Sequence, residues 1–345
     1  MKNCISYARL SVLAFACSAS IPAFSQTQLK TVVVSAARFE QSMADVVADV
    51  SFIGRDEIES MGATSVPQVL ARLPGIQTLT HGDVARVYIR GADAYMTALY
   101  VDGVRVFSQD GVSGIGGGVP WELIPVSQID HIEVLRGPAS AIYGSDAMGG
   151  VVHIFTRKGE AGFRPFVNLG VGSYGMLKTE AGFSGTQSGW DYALGLGYRR
   201  TDGFNTRPDF ERESSQESSK QQSASLRLGY QIEAGHRLEL TSLQSTVDSQ
   251  FPYVFYDANF AAYAKEISAR GTVSNTALKW DRQWTPAYRT GLTVSLSSIA
   301  KTDGVPSDFE TRQTGALFEN YLRVGCRHIE CFSGATQRCI HCPGR

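Results

Sequence analysis

The hydrophobic pattern changes its period along the chain. Residues 10–21 are predominantly apolar, residues 45–157 mix short apolar runs with turn residues, and beyond Phe163 apolar and polar positions alternate one by one. The alternation is clearest over 190–199. There Trp190, Tyr192, Leu194, Leu196 and Tyr198 point one way, and Asp191, Ala193, Gly195, Gly197 and Arg199 the other. The same reading predicts strands over 177–184, 224–231, 288–298 and 316–324. One face of each is apolar and the other small or polar, which suits a strand between lipid and a polar barrel lumen. Connections alternate as well: 185–189 and 233–235 read as tight turns, 201–222 and 245–272 as long polar loops. That is the up-and-down barrel arrangement, although a soluble β-sandwich alternates similarly.

The segment 45–157 reads as a compact mixed α/β unit. Thr64 or Ser65 can cap a short helix with Pro67 in its first turn; Val69, Leu70 and Leu73 form its apolar face, and Pro74-Gly75 stops it. Strands are predicted over 86–90, 98–101, 129–135 and 151–156, separated by Gly-rich turns. The five glycines of 111–118 invite a nucleotide-loop reading. However, Val119 stands where the third glycine belongs, and Pro120-Trp121 follow where a helix should begin, so an exposed loop is expected. At the start, Lys2 and Arg9 precede the apolar segment, and Ala23 and Ser25 suit a cleavage site, which makes residues 1–25 a signal peptide.

Composition narrows the class. The chain has 345 residues, a net charge of −1 and only 19% charged residues, without the basic footprint of a nucleic-acid binder. No run of 18 apolar residues exists to cross a bilayer as a helix. Cys4 and Cys17 lie in the signal segment, and Cys326, Cys331, Cys339 and Cys342 crowd the end. The intervening body therefore does not depend on disulfides. No set of nucleophile, base and orienting residue argues for an enzyme.

A family resemblance rests on several motifs in order: Thr31-Val32-Val33-Val34-Ser35-Ala36, Ile89-Arg90-Gly91, Val101-Asp102-Gly103-Val104-Arg105, Leu135-Arg136-Gly137-Pro138, Tyr143-Gly144-Ser145-Asp146-Ala147 and Gly149-Gly150-Val151-Val152-His153-Ile154. Together they resemble the TonB-dependent outer-membrane transporters. The spacing from Asp102 to Gly111-Val112-Ser113-Gly114 is most similar to the cobalamin-carrying members. The resemblance implies an α+β plug domain followed by the N-terminal part of an antiparallel transmembrane β-barrel. The family's barrel has 22 strands, of which about eight fit here. Implied boundaries are 26–44 for the Ton box and linker, 45–157 for the plug and 158–324 for the partial barrel. It also implies TonB, with its ExbB/ExbD complex, as the partner supplying work, and cobalamin or a siderophore as ligand. TonB would grip Lys30, Thr31, Val32, Val33, Val34, Ser35 and Ala36 by strand addition.

By motif position, Val84, Arg86, Asp93, Val112 and Ser113 fall at the family's ligand contacts. Arg86 and Asp93 bring charge where the cobalamin-carrying members have uncharged side chains, which suits an anionic siderophore equally well; a solvated loop ion pair is the plainer alternative. Arg90 and Arg136 match the arginines that dock the plug against glutamates of the barrel wall. Calcium, which orders loops in the cobalamin-carrying members, would need Asp202, Asp209, Glu211, Glu213 and Glu217, diluted here by Arg and Lys; a solvated loop is expected. Residues 325–345 show no period. Their Cys326-x4-Cys331-x7-Cys339-x2-Cys342 spacing imitates zinc or disulfide frameworks, but a reading-frame shift is the preferred explanation, with the chain a truncated form. A periplasmic plug that binds ligand or TonB without transport is the other reading.

Overall fold

A computed structural model describes residues 32–33, 41–42, 48–81, 84–108, 119–144, 147–205, 217–302, 308–324 and 327–341. Residues 1–25, expected to be a signal peptide, lie outside these residues. Near the start, β1 (Val32–Val33) pairs antiparallel with β2 (Gln41–Ser42).

The mixed unit follows: β3 (Asp49–Gly54), α1 (Arg55–Ser60), α2 (Val66–Leu70), β4 (Ile76–His81), β5 (Val84–Ile89), β6 (Thr97–Val101), β7 (Val104–Val106), β8 (Ile129–Arg136), α3 (Ser140–Tyr143) and β9 (Gly150–Thr156). Its main sheet has the order β3-β8-β9-β6-β7, with β6 parallel to β9 and the other neighbours antiparallel; β4 and β5 form a separate hairpin. Both central strands, β8 and β9, are buried almost throughout. They carry apolar runs but also the buried polar side chains of Glu133, Arg136, His153 and Thr156. α2 lies where the sequence places a helix, with Ser65 at its N-cap and Pro67 in the first turn. The Ser65 side chain makes no capping bond; instead Gln68 reaches back, its Oε1 accepting from the Thr64 amide at 2.9 Å.

Nine antiparallel strands in chain order make the second unit: β10 (Gly162–Gly172), β11 (Met176–Gln187), β12 (Trp190–Thr201), β13 (Ser218–Glu233), β14 (His236–Tyr256), β15 (Ala262–Thr285), β16 (Tyr288–Thr302), β17 (Phe309–Val324) and β18 (Arg327–His341). The predicted alternation is present. Leu196, Val294, Leu296 and Phe318 are exposed on one face, while Ala193, Ser225, Thr241, Ser245, Asn275 and Ser297 are buried. The buried face turns toward the mixed unit. Leu243, Val247, Val273 and Ile299 of the sheet join the same apolar cluster as Ile53, Leu70, Val87 and Ile132. Gly195 shows how close the approach is, because a Cβ there would lie 2.0 Å from Gln128 Oε1.

Two expectations need correction. The stretch 245–272 is no long loop: β14 and β15 run through it as 21- and 24-residue strands joined by a turn at 257–261. Asp257 fixes that turn by accepting from the Asn259 and Ala261 amides at 2.8 Å each. The backbone ladder continues through the whole hairpin, although the period-two signal fades, because main-chain pairing does not itself require an alternating sequence. Residues 327–341, read as without period, pair in register with β17 as the ninth strand, where about eight were expected. Backbone pairing satisfies the β17 edge without requiring a patterned partner.

On the mixed unit, His131 is stacked between Phe52 (centroids 5.0 Å apart) and Phe155 (4.4 Å). Burial opposes its charge, but bonds to Asp130 (2.8 Å) and to Glu133 outweigh it and hold the imidazole above its ordinary value of 6.5. A raised folded-state pKa stabilises fully below about pH 6.5, and that stabilisation is lost as pH rises through the folded value. Denaturant unfolding of wild type and His131→Gln between pH 6 and 9 should therefore show the wild-type advantage shrinking with rising pH. A constant difference would contradict this assignment.

Candidate functional site

The contact between the two units is polar and charged around a small apolar centre. At the turn after β6, Asp102 takes a positive φ of 48° and is buried; its carboxylate accepts from Thr156 N at 3.0 Å and Thr156 Oγ1 at 2.7 Å. From β13 the guanidinium of Arg227 approaches, Nη1 lying 3.5 Å from Asp102 Oδ1 and 3.4 Å from the Thr156 carbonyl oxygen. Its Nη2 donates to both oxygens of Glu239, at 3.0 and 3.1 Å. Lys279 donates to Glu239 at 3.2 Å, and Arg237 joins Glu239 (3.0 Å) to Asp191 (2.6 and 2.9 Å). The result is a chain of alternating charge from the mixed unit into four strands of the sheet. Gly229 makes room for it, since a Cβ there would meet Arg237 Nη2 at 2.2 Å.

Neutral bonds add to this seam. Ser225 Oγ donates to Gln128 Oε1 at 2.7 Å, Gln221 Nε2 to the Glu122 carbonyl at 3.3 Å, and Asn275 Nδ2 to the Val101 carbonyl at 3.4 Å. Sequence reading placed Arg227 and Ser225 on the polar side of their strand but did not name them as contacts. Alternation gives the side on which a residue lies; only the fold gives its partner.

Arg90 and Arg136 have another partner than expected. Both reach Asp49 of β3, Arg136 through Nη1 at 3.0 Å with Nη2 donating to Ser51 Oγ at 2.8 Å. Among the described residues neither pairs with a glutamate of the sheet. Arg90 sits at a positive φ of 53° directly after β5, which directs its side chain back across the same domain toward β3. The two arginines therefore tie β3 to β5 and β8 within the mixed unit.

The ligand residues named by motif are only partly placed. Arg86 lies half-buried in β5, and Asp93 is exposed, capping the 3-10 turn Ala94–Met96 by accepting from Tyr95 N at 3.3 Å. No ion pair joins Arg86 to Asp93 among the described residues. The backbone of Val84 is in β5, while Val112 and Ser113 lie outside the described residues, as do Lys30, Thr31, Val34, Ser35 and Ala36. Val32 and Val33 are those of β1. Of the calcium candidates, Asp209, Glu211 and Glu213 fall outside, and Asp202 pairs with Arg200 at 2.9 Å.

Comparison with known proteins bears on this arrangement. Residues 42–151 match the family model of the TonB-dependent Receptor Plug Domain. Over 180 residues the chain is 41% identical to a protein named Vitamin B12 transporter BtuB from Vibrio vulnificus, covering 50% of this chain and 28% of that protein. Over 299 residues it is 29% identical to the protein of the same name from Photobacterium profundum, covering 85% and 47%. The chain thus spans less than half the length of these relatives. Among solved structures, BauA, the ferric preacinetobactin receptor of Acinetobacter baumannii, superposes with a TM-score of 0.69 at 13% identity, covering 89% of this chain and 49% of that one. At that identity the likeness is one of fold: a plug domain against part of an antiparallel barrel.

Removing Arg227 leaves Asp102 with Thr156 as its partner and Glu239 with Lys279 and Arg237. Arg227→Ala should cost about 1–3 kcal/mol in plug–sheet stability, the usual penalty for removing one partner of a buried polar network, and Arg227→Lys distinctly less. Urea unfolding followed by tryptophan fluorescence checks this; equal stability of Arg227→Ala and wild type would show that the charge chain holds nothing.

Proposed function

We propose that the chain is the plug and the first wall strands of a TonB-dependent outer-membrane transporter that takes up cobalamin or a similar metal chelate. The observation that carries the reading is the two-faced sheet, apolar and exposed on one side, polar and seated on a plug domain on the other. A free soluble plug has no use for that exposed apolar face. The relatives named as vitamin B12 transporters support cobalamin over other chelates. The sheet's alternation of tight turns at 188–189, 234–235 and 286–287 with longer connections at the other end supports an orientation with the tight turns in the periplasm. Ligand would then arrive at the long-connection end, and β1 would meet TonB in the periplasm.

The work of uptake enters through the backbone. Val32 and Val33 form the strand β1, and strand addition of the periplasmic domain of TonB at residues 30–36 would transmit a pull through main-chain hydrogen bonds. A pulled plug slides or unfolds only as its bonds to the wall give way. Those bonds are mainly polar and directional, so they are lost one by one rather than as a single apolar face. No bond of the ligand is made or broken.

The test is equilibrium binding of cyanocobalamin to the full chain purified in detergent, beside capture by the periplasmic domain of TonB. Saturable cyanocobalamin binding is expected. Val33→Pro, which removes a ladder donor, should weaken TonB capture about tenfold while leaving cyanocobalamin binding unchanged. Binding of a ferric siderophore but not of cyanocobalamin would transfer the reading to a siderophore receptor.

A further inference from the structure

A cavity of about 230 Å³ lies between the plug and the long-connection end of the sheet. Plug residues Ser108, Glu122 and Leu123 line one side, and Arg199, Phe251 and Lys301 the other. Two of these side chains have polar atoms with no use inside the fold. Ser108 is 4% exposed and Arg199 is half-buried; among the described residues neither Ser108 Oγ nor Arg199 Nε, both atoms shielded from solvent, has a hydrogen-bond partner. No carboxylate pairs with Arg199 among the described residues, although its neighbour Arg200, on the opposite side of β12, holds Asp202. A desolvated guanidinium without a counter-charge costs stability, as does a buried hydroxyl without a partner. Both lie on the wall of one cavity.

A guanidinium can only donate, and its planar fork fits a carboxylate or phosphate better than any neutral acceptor. A serine hydroxyl donates to the same groups. Lys301 adds positive charge to the lining. Glu122 and Glu217 also lie there, but each has an interaction of its own. The volume is below the roughly 300–1,000 Å³ of sites that enclose a whole small molecule, so the cavity fits one appended group rather than a complete chelate. We propose that it is an oxyanion subsite, in which Arg199 and Ser108 hold a phosphate or carboxylate carried by the ligand while the ligand's body stays above the plug. This rests on the transporter reading for the ligand's route, but the donors can be tested without it.

The full chain in detergent is titrated calorimetrically with inorganic phosphate and with citrate, then with cyanocobalamin, which contains a phosphodiester, and dicyanocobinamide, which lacks it. Wild type should bind the simple oxyanions. Arg199→Gln should lose about tenfold or more in affinity, as expected for a charge-assisted bond, and Ser108→Ala about threefold, while Arg199→Lys stays within about threefold of wild type. Arg199→Gln should also weaken cyanocobalamin and leave dicyanocobinamide unchanged. Should Arg199→Gln fail to fold, Ser108→Ala decides: a loss for phosphate supports the subsite, and none overturns it. Phosphate binding without cyanocobalamin binding keeps the subsite and rejects cobalamin as ligand. Cyanocobalamin binding with no oxyanion binding, or with equal affinities in wild type and Arg199→Gln, rejects the subsite and leaves the transporter reading standing.

Discussion

A sheet strand satisfies its backbone donors and acceptors through its neighbours, and most of this chain is organised by that constraint. Between β10 and β18 each strand bonds to its sequence neighbours, so the ladder is continuous across nine strands. The ladder fixes the register, and the register fixes which side chains look outward. Outside the apolar patch of Leu243, Val247, Val273 and Ile299, leucine, valine and phenylalanine such as Leu196, Val294 and Phe318 face out, while serine, threonine and asparagine such as Ser225, Thr241 and Asn275 face in. A polar inner face cannot be left as a hydrophobic core, and the plug fills it with matching polar groups.

How plug and wall meet follows from this. Apolar contact from the sheet side is concentrated around Leu243, Val247, Val273 and Ile299. The remainder is specific: the Asp102–Arg227–Glu239 chain, the Gln128–Ser225 bond and glycines that let backbones approach. Such a seam holds one register, because each bond is short-ranged and directional. An apolar seam of equal strength would resist sliding less selectively and would expose large apolar surface on opening.

Much of the fold was legible in the sequence, and the reason differs by region. The four predicted plug strands and the helix at Val66–Leu70 are local features, signalled by apolar runs and by Ser65, Pro67 and Gly75. Sheet strands were legible wherever apolar and polar positions alternate, as in β12, and lost where that alternation fades, as in the long β14–β15 hairpin. The site was less legible. Arg227 and Arg199 both sit on the inward side of neighbouring strands, opposite Ala193 and Gln221 respectively, yet one finds Asp102 and Glu239 and the other finds a cavity. Nothing local separates them. Arg90 and Arg136 likewise carried the mark of charges needing partners, but their partner, Asp49, is remote from both in sequence.

The central claim is that the plug is seated against the polar face of the sheet. It is tested most directly by placing cysteines at Gln128 and Ser225, whose side chains bond at 2.7 Å, in a background with Cys326, Cys331, Cys339 and Cys342 changed to serine. A short thiol cross-linker applied to outer membranes carrying the exported chain should join the two positions within one polypeptide, visible as a shifted band that reduction does not restore if the linker is non-reducible. Control pairs between Gln128 and the exposed Leu196 should stay unlinked. Linking of the control but not of Gln128 with Ser225, or no linking of either, would mean that the plug does not occupy the inner face of this sheet.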